Sequence, residues 1–309
     1  MEPIKVVTGA GPVGATIATQ LADAGHRVRL LTRSGSGPEH PLIERLRVDV
    51  SQAAPLSSAL DGADSVFHCI HGSKYAAKSW SEELPRAERR VLEAAAVVNA
   101  VVVFPESLYS YSSPETVMTE DSPRLATHGK RGVRTALLAA RAASETRTVS
   151  MVASDFFGPS VRTAHAGDRM VPLILAGKRV QVMGSADIPH SFTYVPDLAT
   201  AMIRAAETPQ AWNAVLHAPT LPALTQRELA QAFAAAAGVP TLSIGAIPSW
   251  VVKSAGIVSP QMRELAEMLY QFQQPFVMDS TASQKILHLS PTPLNLAATA
   301  TIRWWRNQS

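Results

Sequence analysis

A glycine-spaced turn, Thr8-Gly9-Ala10-Gly11-Pro12-Val13-Gly14, joins two segments of opposite character near the start of the chain. Before it, Ile4–Thr8 is a β-branched run suited to a buried strand. After it, Ala15–Ala24 carries Ile17, Leu21 and Ala24 at helical spacing, with Gly25 as a stop. In this setting each glycine has a use. Gly9 permits the tight turn, Gly11 lets the backbone approach a pyrophosphate, and Gly14 lets the helix pack close to the sheet. The helix start then offers free N–H groups and a positive dipole end to phosphates. The reading is a dinucleotide site centred on Thr8, Gly9, Gly11, Pro12, Val13 and Gly14. An ordinary strand–turn–helix connection is the alternative.

The end of the second strand, Arg27–Leu31, bears on which dinucleotide. A carboxylate there bonds the ribose 2′-hydroxyl of NAD. This chain has Thr32-Arg33-Ser34 instead. Arg33 can stack on adenine and pair with a 2′-phosphate, and Ser34 can donate to it. NADP(H) is therefore favoured over NAD(H), against the plainer reading of Arg33 as a solvated loop residue. Asp49 and Val50 end the third strand, Leu46–Val50. Asp49 either accepts from the adenine amino group or simply caps its loop.

The pattern of strands and helices continues with strands at Ser65–Ile70, Ala100–Phe104 and Thr148–Ala153. Helices are expected at Ser81–Asn99, with Pro85 near its start, and at Lys130–Thr146. This alternation predicts an α/β fold, a Rossmann-type doubly wound parallel sheet. The 309 residues exceed one such unit, and 46% are apolar, enough for a sizeable core. Beyond residue 155 the chain turns proline- and helix-rich. Thr225 and Glu228 form a capping-box pattern ending at Gly238, and Ser259–Phe272 reads as a helix. The expected division is a dinucleotide-binding domain, 1–155 with 190–218, and a mainly helical substrate domain, 156–189 with 219–309.

The net charge is only +3, and the basic residues are scattered, so no nucleic-acid stripe is visible. Cys69 is the sole cysteine. It allows no internal disulfide and sits in an apolar run, SVFHCI, as a strand residue rather than a nucleophile. The histidines lack carboxylate partners at ligand spacing, so no metal site is expected. No apolar stretch is long enough to cross a bilayer and no leader pattern opens the chain, which makes cytoplasmic the default expectation.

Several segments resemble the short-chain dehydrogenase/reductase superfamily in its extended branch of NAD(P)-dependent epimerases, dehydratases and reductases. TGAGPVG is similar to its TGxxGxxG. SVFHCIHG resembles the fourth-strand segment that lines the cofactor, which implies Cys69, Ile70 and His71 as contacts. SDFFGP resembles the loop beyond the sixth strand and implies Ser154 and Phe157. HSFTYVPDLATAM resembles the RxFxYVxDVAxA segment, and the match runs to Met202. The resemblance also implies a possible homodimer through the helices at 81–99 and 130–146.

One departure concerns the chemistry. Family members pair a tyrosine and a lysine as YxxxK, the lysine holding the ribose and lowering the tyrosine pKa. Here Ala126 stands four residues before Lys130. THGKRGVRTALL instead resembles an atypical subgroup with a TxKGxxR pattern, as do HGSKYAAKSW and ESLYSY. Candidate replacements are Ser107, which the alignment places at the family's catalytic Ser/Thr, then Tyr109, Tyr111 and His128. Lys130 remains a ribose candidate, and His71 and Tyr75 can reach the nicotinamide end. His190 replaces an arginine that meets phosphate in nucleotide-sugar members, with Arg162 or Arg169 as possible compensation. Phe192, Trp212, Trp250, Met268 and Phe272 suggest an apolar pocket.

The function expected is an NADP(H)-dependent oxidoreductase acting on the carbonyl or alcohol of a small, partly apolar molecule or modified sugar. The alternatives are an epimerase or dehydratase with retained cofactor, and a non-catalytic NADP-binding regulator of the NmrA-like kind.

Overall fold

The computed structural model describes residues 3–240 and 243–308. Its centre is a seven-stranded, wholly parallel sheet. The first half runs β1 (Ile4–Thr8), α1 (Pro12–Asp23), β2 (Val28–Thr32), β3 (Ile43–Arg47), α2 (Ala53–Leu60), β4 (Ala63–His68), α3 (Ala77–Val97) and β5 (Val101–Ser107). Then come α4 (Gly129–Ala142), β6 (Thr148–Ala153), β7 (Asp155–Phe157), α5 (Val171–Leu175), β8 (Val180–Met183), β9 (Phe192–Tyr194) and α6 (Val195–Ala206). The chain closes with β10 (Ala214–His217), α7 (Gln226–Ala237), β11 (Ile244–Ile247), α8 (Ser249–Val258), α9 (Pro260–Ala266), α10 (Thr281–Leu287) and α11 (Leu294–Arg306). In space the large sheet reads β3-β2-β1-β4-β5-β6-β10. Strand order therefore reverses between β1 and β4, which opens a crevice at their carboxyl ends.

Alternation along the strands explains the two covered faces. Val7, Leu30, Phe67 and Val103 bury against Ile17 and Leu21 of α1 and Leu198 and Met202 of α6. Their neighbours Val6, Leu31, Val66 and Val102 bury on the other face, against Leu56 of α2 and Val91 of α3. A second core gathers Phe157, Ile174, Leu229, Phe233 and Ile302 from β7, α5, α7 and α11. The capping box at Thr225 and Glu228 is formed, and α7 ends on Gly238 at φ +63°.

Element ends differ from expectation for physical reasons. β3 ends at Arg47, because Asp49 turns the chain by accepting Ser51 N–H at 2.9 Å. β5 runs on to Ser107 past Pro105. Its ladder with β4 stops at Val103, while pairing with β6 continues, so the proline's missing donor falls on an unpaired side. α3 begins at Ala77, which places Pro85 inside the helix rather than near its start. α4 stops at Ala142, short of Thr146. The segment read as one helix over 259–272 breaks into α9 and a 3₁₀ turn at Leu269–Phe272.

Candidate functional site

The glycine turn sits at the mouth of the crevice. Gly9 has φ +88°, and a Cβ on it would lie 2.9 Å from Cys69 O. A Cβ on Gly14 would run into the Gly9 carbonyl. A Cβ on Gly11 would meet nothing within 4 Å, so that side of the backbone is open to a ligand. α1 starts at Pro12 with no side-chain cap and no acidic residue in its first turn. Its N–H groups and dipole are thus available to a pyrophosphate. Thr8 Oγ1 and His68 Nδ1 lie 2.8 Å apart and tie β1 to β4 beneath the turn. Ser154 Oγ, buried at the end of β6, finds no partner among the described residues. These features fit a dinucleotide.

At the end of β2, Arg33 is exposed and makes no hydrogen bond or ion pair among the described residues. Ser34 Oγ lies 2.6 Å from Ser36 Oγ. Asp49 stays a carboxylate below its ordinary range, held there by the Ser51 N–H and hydroxyl and by nearby Arg33 and Arg86. Cys69 and Ile70 line the turn from β4, in contact distance of an added Cβ at Gly9. Burial pushes the Cys69 thiol well up, away from thiolate chemistry.

The replacements considered for the absent tyrosine fall in different places. Tyr109 lies on a 3₁₀ turn, Leu108–Ser110, after β5. Its hydroxyl is 3.0 Å from that of Tyr75, which follows β4. Both rings pack on Trp80, Tyr109 stacked at 6.3 Å and Tyr75 edge-on at 5.4 Å. His71 meets the same indole edge-on at 4.7 Å. Burial raises the Tyr109 phenol well above the usual tyrosine range. Tyr111, two residues on, turns away into a buried cluster with Met118 and Phe276. Its hydroxyl meets His217 Nε2 at 2.5 Å. Ser107 N–H and hydroxyl both donate to Glu106 Oε1, at 2.7 and 3.3 Å. His128 is exposed at the N-cap of α4, where its side chain caps nothing. Ala126 N–H bonds Ser110 O at 3.1 Å, so that position does adjoin the Tyr109 turn, without a proton to give.

Lys130 is not a surface lysine. It is fully buried, and its Nζ donates to Glu264 O at 3.0 Å, Glu264 Oε2 at 2.5 Å and Glu267 Oε2 at 2.5 Å. The ammonium also lies 4.9 Å from the Tyr75 ring centre. Next to it in sequence, Arg131 donates to Tyr109 O at 3.1 Å and Tyr111 O at 2.6 Å, fixing the tyrosine turn, and covers the Tyr270 ring.

Beyond β6 stands an acid–imidazole pair. His190 Nε2 meets Asp155 Oδ2 at 2.8 Å and its Nδ1 meets Gln271 O at 3.1 Å. Both ring nitrogens thus lie within hydrogen-bond reach of an oxygen. Burial pushes the Asp155 carboxyl up, but the His190 hydrogen bond and charge outweigh it, and the group lies below its usual range. Phe272 stacks on His190 at 4.9 Å. His165, edge-on to Phe272 at 4.5 Å, is pushed down to about 4 by burial. The remaining substrate-side expectations divide. Arg169 is exposed with Nη1 3.7 Å from Met183 S. Arg162 instead pairs with Asp168 at 3.8 Å and lies over Trp304 and Trp305. Phe192, Phe272 and Met268 are buried, whereas Trp250 is exposed and Trp212 packs against the end of α6. The pocket expected from these aromatics is thus not assembled from Trp212 and Trp250.

Trp80, Asp155, Glu264, Glu267 and Tyr270 were not visible as site residues from the sequence. Two of them carried a local signal: Asp155, one position beyond Ser154, and Trp80, the last residue of HGSKYAAKSW. Among the described residues no group of three or more His, Cys, Asp or Glu is placed to hold a metal, and no helix is long and apolar enough to cross a membrane.

Comparison with known proteins agrees with this architecture. The chain is similar over its whole length to solved epimerase-type structures at low identity. The WbmH enzyme of Bordetella bronchiseptica in complex with NAD+ aligns with TM-score 0.76 and 18% identity, over 99% of each chain. The UDP-glucose 4-epimerase of Thermotoga maritima, solved with UDP-glucose, gives 0.76 and 15%, again over 99% of each. A curated relative, the 3 beta-hydroxysteroid dehydrogenase/Delta 5-->4-isomerase of Mycobacterium tuberculosis, is 44% identical over 66 residues. That match spans 21% of this chain and only 18% of the relative's length. The profile of the NAD dependent epimerase/dehydratase family matches residues 5–215, and the chain belongs to that family.

Proposed function

We propose that this chain is an NADP(H)-dependent enzyme that interconverts a carbonyl and an alcohol on a small, partly apolar molecule or modified sugar. The observation that carries the reading is the Tyr75–Tyr109 hydroxyl pair, 3.0 Å apart, in a family whose usual tyrosine is Ala126 here. The glycine turn, the uncapped α1 and Arg33 hold the dinucleotide, and Ser154 and the β4 end line it. A bound nicotinamide would supply the hydride for reduction, or take it up for oxidation. The chain supplies the proton: Tyr109 donates to or accepts from the substrate oxygen, and Tyr75 shares its proton through their hydrogen bond. Trp80 fixes both rings, and Arg131 fixes the backbone that carries Tyr109. Desolvation disfavours a free phenolate at Tyr109, so its proton has to move together with the hydride rather than before it.

Steady-state turnover of NADPH against a carbonyl panel tests this. Tyr109→Phe is expected to lower kcat by about 10²–10⁴-fold, the usual worth of a positioned proton donor. Its dissociation constant for NADP+ should stay at the wild-type value. Wild-type turnover in Tyr109→Phe would remove Tyr109 from the chemistry. Family membership favours one second reading, an epimerase or dehydratase that keeps its cofactor through a transient oxidation. Nucleotide copurifying with the protein at near-equal molar ratio, with no net NADPH consumption, marks that case.

A further inference from the structure

We propose that Glu264 and Glu267 are positioning residues. They latch the α8–α9 hairpin onto Lys130, and the cofactor's ribose competes with them for that ammonium. The proposal rests on reading Lys130 as a ribose ligand.

An ammonium has three N–H donors. At Lys130 each is already met, by Glu264 O, Glu264 Oε2 and Glu267 Oε2, and the Tyr75 ring closes a further side. A ribose diol can reach Nζ only by displacing one of these three oxygens, all of which belong to the 264–267 segment. A carboxylate meets the ammonium with a full opposite charge and a hydroxyl only with a dipole, so the diol does not win while the hairpin stays in place.

The same carboxylates grip the neighbouring backbone. Glu264 Oε2 accepts from Ala77 N–H, in the first turn of α3, at 3.2 Å. Glu267 Oε1 accepts from Lys130 N–H, in the first turn of α4, at 2.9 Å. Gly129 has φ +55°, and a Cβ there would collide with the Glu267 carboxylate. Two helix starts and one buried cation thus converge on one short acidic segment.

Apolar packing on the hairpin is thin. α9 has no fully buried side chain, and α8 buries only Val252 and Gly256. Met262, Leu265 and Ala266 pack, partly buried, against the small cluster of Met183, Leu269 and Phe272. Both carboxylates keep an edge to solvent, with side-chain exposures of 28% and 29%, so they can turn outward and rehydrate on release. A lightly packed element held by ionic contacts opens at lower cost than the core. Entry of the cofactor would therefore loosen the hairpin that borders the substrate side.

The test uses the full chain and NADP+ as the probe, with affinity from calorimetry and local opening from amide hydrogen exchange over 249–267. E264Q/E267Q keeps the side-chain shapes and removes the charges. It is expected to bind NADP+ about tenfold more tightly than wild type. In the wild type, NADP+ is expected to speed exchange in the hairpin. Unchanged or weaker binding by E264Q/E267Q would overturn the latch, as would hairpin exchange that NADP+ slows or leaves unchanged. A merely structural role predicts weaker binding, not tighter. The exchange experiment needs no variant, so it decides the matter even if the double substitution fails to fold. K130M separates the two layers. If it binds NADP+ like wild type, the ribose reading has failed. If it binds clearly more weakly while E264Q/E267Q shows no gain, only the latch has failed.

Discussion

At Arg33 an exposed guanidinium stands where a carboxylate would otherwise recognise an unphosphorylated ribose. Nothing among the described residues holds it elsewhere, so it can turn onto a ligand phosphate. Arg33→Asp should replace attraction by repulsion and reverse the order of NADP+ and NAD+ in thermal-shift titrations, with the affinity ratio moving about tenfold or more. Equal shifts for the two nucleotides in wild type would show that Arg33 selects nothing. His165 makes a different prediction. Burial lowers it to about 4 from an ordinary value near 6.5. Between those values the unfolded chain binds a proton that the folded chain refuses. The contribution is intact above about 6.5 and is lost as pH falls toward 4. His165→Gln, which cannot titrate, should flatten the fall in urea-unfolding stability over that window. A parallel slope in both proteins would count against a His165 that the fold keeps neutral.

Elements carry their own tests. The capping box on α7 satisfies two orphan donors at once, Glu228 N–H through Thr225 Oγ1 and Thr225 N–H through Glu228 Oε2 at 2.7 Å. Thr225→Ala should cost about 1 kcal/mol and lower Tm without touching cofactor affinity. Gly14→Ala should do the opposite, because the new methyl lands on the Gly9 carbonyl and pushes α1 off the turn. Loss of NADP+ binding larger than the loss of Tm is the expected signature, read by calorimetry beside thermal melting. Both devices were legible in the sequence, since each depends on residues within one turn of chain. The ends of β3, β5 and the 259–272 segment were not. Those limits are set by which neighbouring strand pairs where and by where a side chain captures an amide, as Asp49 does.

Across the molecule, stability is unevenly distributed. The large sheet is buried on both faces, whereas α8 and α9 contribute few buried side chains and leave Trp250, Ile257 and Val258 exposed. Amides of α8 and α9 should therefore exchange faster than those of α7, whose Leu229 and Phe233 are fully buried. Equal protection would mean the hairpin is as firmly packed as the core. What the sequence determined by itself was the Rossmann-type fold of the first half, from a glycine turn and alternating strands and helices. Those features follow from local backbone freedom and side-chain periodicity. What only the tertiary structure decided was which distant side chains meet. Tyr75 meets Tyr109 across 34 residues, Asp155 meets His190 across 35, and Lys130 meets Glu264 across 134. Tyr109 and Tyr111 are neighbours in sequence yet enter different environments, because the 3₁₀ turn rotates one toward Trp80 and the other toward His217. A side chain's partner is set by which distant segments the core brings together, and no local pattern records that choice.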